Sequence, residues 1–484
     1  MLVIFLLSLV GCTVSPEPTQ TFPEDGAPPP PTPVEGVPLP TSLPSRPQYG
    51  PGELVEYIAQ TGDTLPALAV HFNTTEREIR KANPQIPLDA TTMPPGMPMQ
   101  IPIYYEALWG TPFQILPDSL FVNGPAQVGF DSGDFVRSQP GWFKTFHRYI
   151  NGAERYGGDL IDNIAVNYSV SPRLLLAILE YQTGALTNPA PPDPEPRYPL
   201  GYLNPREPGY YNQLVFAANT LNNGYYGWRD GSLRQFEHFD GRIERPDPWQ
   251  NAATVAIQYY FASVLRDRDA FTQAIHAQGL VATYARLFGD PWANVQPHIP
   301  VSLTQPTLRL PFSPGKTWAF TGGPHTNWGT GLPFSSLDFA PPSNTTGCAI
   351  SEDFATAVAD GVIARKGNAL VELDLDSDGD IRTGWVIYYL HLANEGLIRQ
   401  GAVVKAGDPL GHPSCEGGNA TGTHVHIARK YNGEWIPAGG VLAFDLEGWI
   451  ARDGAAPYQG TLTHFSQTAT ANTSGDSTTL VHAE

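Results

Sequence analysis

Thr421-Gly422-Thr423-His424-Val425-His426-Ile427-Ala428 is the stretch that decides the fold of the C-terminal part of this 484-residue chain. Apolar residues flank it and the turn sequence Tyr431-Asn432-Gly433 follows, so we predict a β-strand. Side chains two residues apart on a strand share a face, which places His424 and His426 side by side. Two imidazoles on one rigid face suit a metal ligand beside an acid or base, although a lone His-x-His also occurs on solvated strands.

Two other segments carry residues of the same chemistry. Gly322-Gly323-Pro324-His325 is followed by a loop with Gly and Trp, and then by Ser335-Ser336-Leu337-Asp338. Further along, the apolar run Trp385-Val386-Ile387-Tyr388-Tyr389-Leu390 ends at His391. In this order, the three motifs resemble the β-lytic, or staphylolysin-like, branch of the lysostaphin-type zinc endopeptidases. The resemblance covers roughly residues 311–448.

The resemblance implies a zinc site with catalytic histidines beside it. Carried over onto this sequence, it makes His325, Asp338 and His426 the ligands of Zn²⁺. Three protein ligands leave a fourth position open, as a catalytic zinc site requires. By the same resemblance, His391 and His424 flank that open position. One would accept a proton from the attacking water and the other would stabilise the oxyanion of the intermediate, and the sequence leaves their assignment open.

The N-terminus indicates export. Leu2 to Val10 is an apolar run too short to span a bilayer as a helix. It leads into Leu9-Val10-Gly11-Cys12, which resembles a bacterial lipoprotein cleavage site, so we expect Cys12 to carry a lipid that anchors the protein to a membrane. An ordinary cleaved signal peptide is the alternative, and the segment before the apolar run lacks Lys and Arg.

The cysteines and the net charge limit the class of protein further. The chain has three cysteines, and removing Cys12 leaves Cys348 and Cys415, both inside the predicted peptidase domain. An even pair in an exported domain predicts a disulfide, with two buried free thiols as the alternative. A net charge of −19 argues against nucleic acid or an anionic membrane surface as a partner.

A small module follows a Pro-rich tether. Residues 13–52 are dense in Pro and predict an extended linker. Tyr57-Ile58-Ala59-Gln60-Thr61-Gly62-Asp63-Thr64-Leu65 begins a strand–helix–helix–strand pattern that ends at Gly96-Met97-Pro98-Met99-Gln100-Ile101-Pro102. This pattern resembles a LysM domain, a βααβ module that binds the N-acetylglucosamine backbone of peptidoglycan or chitin. A LysM fold without affinity for carbohydrate is the alternative.

The next region predicts helices and contains an altered catalytic motif. Ser171-Pro172 predicts an N-cap with Pro at the first helical position, and Gly184 suits the end of that helix. The helix resembles the catalytic-glutamate helix of lysozyme-like transglycosylases, but the position of the glutamate holds Gln182. Glu180 lies two residues early and about 200° around the helix. We therefore prefer a helical spacer or a glycan-binding domain of lysozyme-like ancestry over an active glycosidase.

Two features near the C-terminus are interpreted as loop and tail. Asp374-Leu375-Asp376-Ser377-Asp378-Gly379-Asp380 begins like a calcium loop, but position twelve is Trp385 where a bidentate Glu is expected. We favour an acidic hairpin turn, with calcium binding as the alternative. The Ser/Thr-rich tail after about Gln467 predicts disorder.

Together these features predict a multidomain α+β protein. Its segments are a lipoprotein signal peptide (1–12), a Pro-rich linker (13–52), a LysM module (53–104), a mostly α-helical lysozyme-like domain (105–300), an antiparallel β zinc peptidase domain (301–460) and a tail (461–484). The predicted function is hydrolysis of peptide bonds, by resemblance glycyl bonds, in peptidoglycan at the bacterial cell envelope. A non-enzymatic wall-binding or activator lipoprotein is one alternative, and a bifunctional hydrolase with an active glycosidase domain is another. The sequence leaves the oligomeric state open.

Overall fold

The computed structural model describes residues 46–107, 109–150, 152–343 and 347–484. The predicted signal peptide, the lipidation site Cys12 and the linker up to residue 45 lie outside these residues. Within the described ranges, no helix combines the length and the apolar character needed to cross a bilayer.

The predicted βααβ module is present near the N-terminus. Its elements are β1 (Glu53–Ile58), α1 (Leu65–His71), α2 (Glu76–Ala82) and β2 (Pro98–Ile103). Both helices begin where a threonine caps them: Thr64 Oγ1 accepts from the Ala67 amide and Thr75 Oγ1 from the Glu78 amide. The two strands pair antiparallel, with Val55 opposite Ile101, and both side chains contribute to the small apolar core.

The middle region is mostly helical and contains two short hairpins. Its elements are α3 (Ser132–Ser138), β3 (His147–Ile150), β4 (Ala153–Tyr156), α4 (Gly157–Tyr168), α5 (Pro172–Thr183), α6 (Gly209–Asp230), β5 (Phe236–Glu237), β6 (Ile243–Glu244), α7 (Ala252–Val264), α8 (Arg268–Ala274) and α9 (Leu280–Phe288). The predicted ends of α5 are confirmed. Ser171 Oγ accepts from the Leu174 amide at 3.3 Å, and Gly184 adopts a left-handed conformation at the C-cap.

The C-terminal domain is antiparallel β, as predicted. Its strands are β7 (Thr317–Thr326), β8 (Phe334–Ala340), β9 (Ala355–Thr356), β10 (Gly361–Gly367), β11 (Leu370–Asp374), β12 (Trp385–Leu390), β13 (Val403–Val404), β14 (Pro409–Gly411), β15 (Val425–Tyr431), β16 (Glu434–Trp435), β17 (Asp445–Leu446), β18 (Trp449–Asp453), β19 (Gly460–His464), β20 (Gln467–Thr470) and β21 (Leu480–His482). The largest sheet runs in the order β13-β10-β11-β12-β15-β8-β7-β21, and β16 pairs with β15. A second sheet has the order β17-β18-β19-β20.

The prediction of a disordered tail is wrong. Residues after Gln467 form β20, which pairs with β19, and β21, which pairs with β7 of the large sheet. Val481 is fully buried in the core of the β domain. The tail is polar in composition, yet it contains a short apolar strand that completes the edge of the sheet. Threonine, which is frequent in this tail, also favours strands.

The helical region covers one face of the large sheet. Side chains on β12 and β15 alternate between two cores, as the period of a strand requires. Ile387 and Ile427 lie in the core of the β domain, whereas Tyr388 and Ala428 lie in the core shared with the helices. The face of the sheet that carries Tyr388 and Ala428 is therefore packed against the helical region.

Arg229 at the end of α6 joins all three modules. Its guanidinium lies 3.2 Å from Asp118 Oδ2 and 3.3 Å from Glu434 Oε1 of the β domain, and it donates to the carbonyl of Thr61 in the small module. Glu434 also accepts from Tyr225 OH at 2.7 Å. The charge of Arg229 is thus compensated where it is buried, and the small module is docked to the rest of the protein.

Candidate metal centre

Strand register brings the three predicted ligands together. His426 on β15 lies directly opposite Asp338 on β8, and on its other side it faces Leu390 at the end of β12. His325 lies near the end of β7, where the pairing of β7 with β8 is irregular. A register irregularity of this kind redirects side chains, and here the His325 ring turns toward the pair on the neighbouring strands.

The three side chains form a compact, buried donor set. His426 Nδ1 lies 3.0 Å from Asp338 Oδ1 and 3.1 Å from His325 Nε2, and His325 Nε2 lies 3.4 Å from Asp338 Oδ1. Among the described residues, this is a group whose ligand atoms all lie within 4.8 Å of one another and whose members are all buried. Two imidazole nitrogens and a carboxylate oxygen are ligands that zinc accepts in catalytic sites.

Hydrogen bonds on the far side of each ring fix which nitrogen faces the centre. His325 Nδ1 lies 2.7 Å from the carbonyl of Gly323, so Nδ1 carries the proton and Nε2 presents its lone pair. His426 has the opposite orientation: its Nε2 lies 3.0 Å from Asn327 Oδ1, which leaves Nδ1 free. Both rings are therefore held in the tautomer that a metal requires.

The protonation states of Asp338 and His426 also suit a cation. Burial raises the pKa of the Asp338 carboxyl, but the charges of His325 and His424 and hydrogen bonds from His325 and His426 hold that pKa well below its usual value. Burial lowers the pKa of His426 to about 4, although Asp338 opposes this effect. An ionised carboxylate beside a neutral imidazole is the form in which these residues bind a metal.

The two other predicted histidines lie beside this centre. His424 directly precedes β15, one residue outside the observed strand, and its Nε2 lies 3.7 Å from Asp338 Oδ1. The His391 and His424 rings are 4.6 Å apart between centroids. His391 Nδ1 lies 2.8 Å from the carbonyl of Glu416, and His424 Nδ1 lies 2.8 Å from that of Gly422. Both rings therefore direct Nε2 away from these carbonyls.

The predicted disulfide is present close to this site. Cys348 and Cys415 are bonded, with their Cα atoms 5.4 Å apart. Cys415 precedes Glu416, whose carbonyl holds His391, so the bond anchors the loop that orients this histidine. By the chain-entropy model, closing a loop of 67 residues stabilises the fold by about 4 kcal/mol.

A cleft of about 680 Å³ opens onto the five residues. Its lining also includes Tyr458, which no sequence motif indicated. The ring of Tyr458 stacks on that of His325, with centroids 4.1 Å apart and planes 21° apart. Tyr458 lies in a loop after the last motif, beyond the segment that the resemblance covers. No local pattern indicated it, and the pairing of its backbone with Gly323 and Pro324 brings it to the site.

The residues singled out in the helical region have structural partners. Glu180 is buried, and its carboxylate accepts from the Leu186 amide at 2.8 Å and from Thr187 Oγ1 at 2.5 Å. Gln182 donates to the carbonyl of Leu200 at 3.0 Å and accepts from Tyr260 OH at 2.6 Å. Both side chains thus bind groups of their own domain.

The acidic hairpin also has the predicted local structure. The carboxylates of Asp374, Asp376 and Asp378 lie within 4.8 Å of one another. Asp374 accepts from the amides of Asp376 and Gly379, as in a tight acidic turn. Burial, together with Asp376 and Asp378, raises the pKa of Asp374 to about 6.

Comparison with known proteins agrees with this organisation. A family model described as LasA, N-terminal domain, matches residues 114–302, and one described as LysM domain matches residues 57–102. Protease LasA of Pseudomonas aeruginosa (strain UCBPP-PA14) is 27% identical over 342 residues, which are 66% of this chain and 74% of that protein. The beta-lytic metalloendopeptidase of Lysobacter enzymogenes is 32% identical over 143 residues, 28% of this chain and 74% of that protein. The solved structure of the M23 metalloprotease pseudoalterin is 26% identical and covers 35% of this chain and 96% of its own, with a TM-score of 0.30.

Two imidazoles and a carboxylate converging on an antiparallel sheet are a donor set of the kind that metallohydrolases use. The chain belongs to the lysostaphin-type, or M23, metallopeptidases, as a member that contains a LysM domain. Its helical region matches the N-terminal domain of LasA, and the likeness of this region to lysozymes stays a prediction.

Proposed function

We propose that this protein is a zinc endopeptidase that hydrolyses glycyl peptide bonds in the stems or cross-bridges of peptidoglycan. The observation that carries the proposal is the donor set of His325, Asp338 and His426, with both imidazoles held in the metal-binding tautomer. The beta-lytic metalloendopeptidase among its relatives supports the same class of reaction.

The residues of the chain have distinct roles in this proposal. His325, Asp338 and His426 would hold the zinc, which supplies Lewis-acid activation of water and of the scissile carbonyl. His391 and His424 present Nε2 at the cleft, where one accepts the proton of the attacking water and the other donates to the developing oxyanion. Burial, and next the charge of His424, lower the pKa of His391, which favours a neutral ring able to act as the base.

The non-enzymatic alternative has less support. A domain that only binds or activates has no need of its metal ligands and is expected to lose at least one. Here the three proposed ligands and both flanking histidines are present, and each flanking histidine has its Nδ1 at a backbone carbonyl, which supports a catalytic role. We therefore retain the enzyme as the proposed function.

The preference for glycyl bonds can be tested with soluble peptides. We expect a peptide with a central Gly-Gly bond to be cleaved with a kcat/KM about tenfold or more above that of a matched Ala-Ala peptide. The reason is that a methyl group which does not fit a tight site costs about 1–3 kcal/mol. Product analysis by mass spectrometry gives both rates and the cleaved bond, and equal rates would contradict the preference.

We also propose that the LysM module targets the enzyme to wall polysaccharide. The module is docked through several contacts: His71 stacks on Trp228 with ring centroids 3.5 Å apart, and Trp249 Nε1 donates to the carbonyl of Glu56 at 2.9 Å. Deleting the module would uncover both tryptophans, so a deletion variant tests stability as well as targeting. Competition by soluble sugars on the intact chain tests targeting without changing the stability of the protein.

Soluble N-acetylglucosamine oligomers are expected to displace the intact protein from insoluble peptidoglycan. Oligomers of β-1,4-linked glucose are the matched control, because they lack the N-acetyl group that the module is proposed to recognise. The measurement is the fraction of protein that sediments with the wall at each oligomer concentration. Equal retention with both sugars would contradict targeting by the LysM module.

The helical region is proposed as a lysozyme-like domain without glycosidase activity. A lysozyme-type mechanism needs a protonated carboxylic acid at the scissile oxygen, and the amide of Gln182 supplies no proton with a usable pKa. Glu180 is held by Leu186 and Thr187 and is buried, which supports a structural role. If Glu180 has only this structural role, the region lacks an acid for glycan cleavage, which favours a single peptidase activity over a bifunctional hydrolase.

The proposed location is the bacterial cell envelope. Export agrees with the disulfide between Cys348 and Cys415, since such bonds persist in oxidising compartments. Lipidation of Cys12 would add the membrane anchor, and the Pro-rich linker would then separate the peptidase from that membrane.

A further inference from the structure

The loop of residues 327–333 connects the two strands that carry His325 and Asp338. Its first residue, Asn327, is buried and accepts from His426 Nε2 at 3.0 Å and from Ser336 Oγ at 3.3 Å. The side-chain nitrogen of Asn327, Nδ2, has no hydrogen-bond partner among the described residues. Among the described residues, the Asn327 side chain is thus held through Oδ1 alone. The backbone of the 327–333 loop also determines where this side chain lies.

That backbone is held from outside the peptidase domain, by helix α6. Asn219 and Asn223 lie one turn apart on the same face of the helix. Asn219 accepts from the Thr330 amide at 2.7 Å and donates to Thr330 Oγ1 at 3.1 Å. Asn223 accepts from the Leu332 amide at 2.7 Å and donates to the carbonyl of Thr330 at 3.2 Å. Each side-chain amide thus uses both its donor and its acceptor on the loop.

The loop sequence fits these two amides closely. Gly329 and Gly331 both have a positive φ, of 85° and 86°. A Cβ atom at Gly329 would overlap Asn219, and one at Gly331 would overlap Asn223. Within the loop, Thr326 Oγ1 at the end of β7 donates to the carbonyl of Gly331. The close approach of helix and loop therefore requires glycine at both positions.

We propose that Asn219 and Asn223 are positioning residues for the metal centre. By clamping the 327–333 loop, they keep Asn327 where it accepts the Nε2 proton of His426 and leaves Nδ1 for the metal. The helical region thereby sets the affinity of a site to which it contributes no ligand. This inference rests on the proposed function, in which His426 binds zinc.

Zinc affinity is the first test, measured by competition with a chromogenic chelator. We expect Asn219→Ala and Asn223→Ala each to weaken zinc binding about tenfold, the lower end of the effect of partners behind metal ligands. Asn219→Asp should retain wild-type affinity, because its carboxylate still accepts from the Thr330 amide and can accept from the Thr330 hydroxyl. Asn212→Ala is the matched control on the same helix, since within the described ranges its side chain donates to the carbonyl of Pro208 and not to the 327–333 loop.

Amide hydrogen exchange tests the clamp without any metal. In the apo protein, the amides of Thr330 and Leu332 should exchange faster in the two alanine variants than in the wild type and in Asn212→Ala. Unchanged exchange would overturn the clamp. Faster exchange with zinc affinity within about twofold of the wild type would overturn the link to the metal centre. A wild-type chain that binds no zinc would instead refute the proposed function, and the exchange data would still report on the clamp.

A double-mutant cycle identifies the route from helix to metal. Asn327→Leu removes the acceptor for His426 while roughly keeping side-chain volume. If Asn219 acts through Asn327, combining Asn219→Ala with Asn327→Leu should weaken zinc binding no more than Asn327→Leu alone. Losses that multiply would show independent effects and overturn the proposed route.

Discussion

Replacing His426 with Ala is expected to abolish zinc binding and peptidase activity together. The substitution removes the donor that lies within 3.1 Å of both other ligand atoms, and two ligands cannot complete the site. The wild-type chain should hold about one zinc after dialysis and the variant about none. Activity on a glycyl peptide should fall by about 10³-fold or more, since the metal contributes several kcal/mol to the transition state.

His412→Ala is the matched control for this substitution. His412 lies in the same domain, with Nδ1 at 3.1 Å from the carbonyl of Asp353 and its ring against Phe354. The control should keep both zinc and activity. Stoichiometric zinc in His426→Ala, measured by atomic absorption on folded protein, would contradict the assignment of this ligand.

Replacing His391 or His424 with Ala should give the opposite pattern, in which zinc stays and catalysis is lost. Both rings line the cleft beside the donor set, yet the three-ligand set is complete without them. Loss of a general base or of an oxyanion donor lowers kcat by about 10²-fold or more for each histidine. KM for a soluble peptide should change little, because these groups act mainly in the transition state.

Metal content separates the two classes of histidine in this experiment. Each variant should retain about one zinc per chain under the dialysis conditions that empty His426→Ala. Loss of zinc from His391→Ala or His424→Ala would mean that a ligand and a catalytic group have been exchanged in the assignment. Full activity in either variant would remove that histidine from the mechanism.

Local patterns in the sequence were enough to predict the elements on which the site is built. The apolar run from Trp385 to Leu390 predicted a strand ending at His391, and the structure has β12 ending at Leu390. Ser171 and Gly184 predicted both ends of α5, because caps are determined by one or two neighbouring residues. These signals depend on contacts close in sequence.

Three other features, each of which depends on contacts distant in sequence, were not predicted. Tyr458 reaches the site because its loop pairs with Gly323 and Pro324, more than a hundred residues earlier. Asn219 and Asn223 show no motif on their helix, and their role depends on a loop over a hundred residues later. The Ser/Thr-rich composition of the tail predicts disorder, but Val481 lies on a strand whose partner, β7, is far earlier in the chain.

The sequence likewise did not predict that the helical region covers one face of the large sheet. Ser169 Oγ donates to the carbonyl of Gly433, and Trp435 Nε1 donates to the carbonyl of Tyr168, across two predicted domains. Periodicity predicts that such faces are apolar but does not say which partner covers them. The predicted domain boundaries therefore do not indicate how closely the peptidase and the helical region are packed.

Digestion of purified peptidoglycan with and without a chelator tests the central claim most directly. New amino groups and new reducing ends are measured in the same digest, so that peptide and glycan cleavage are distinguished. We predict new amino groups that disappear with chelator and return with added zinc, and no new reducing ends, because Gln182 replaces the acid that glycan cleavage needs. New reducing ends without new amino groups, or release of amino groups that a chelator does not affect, would contradict the account.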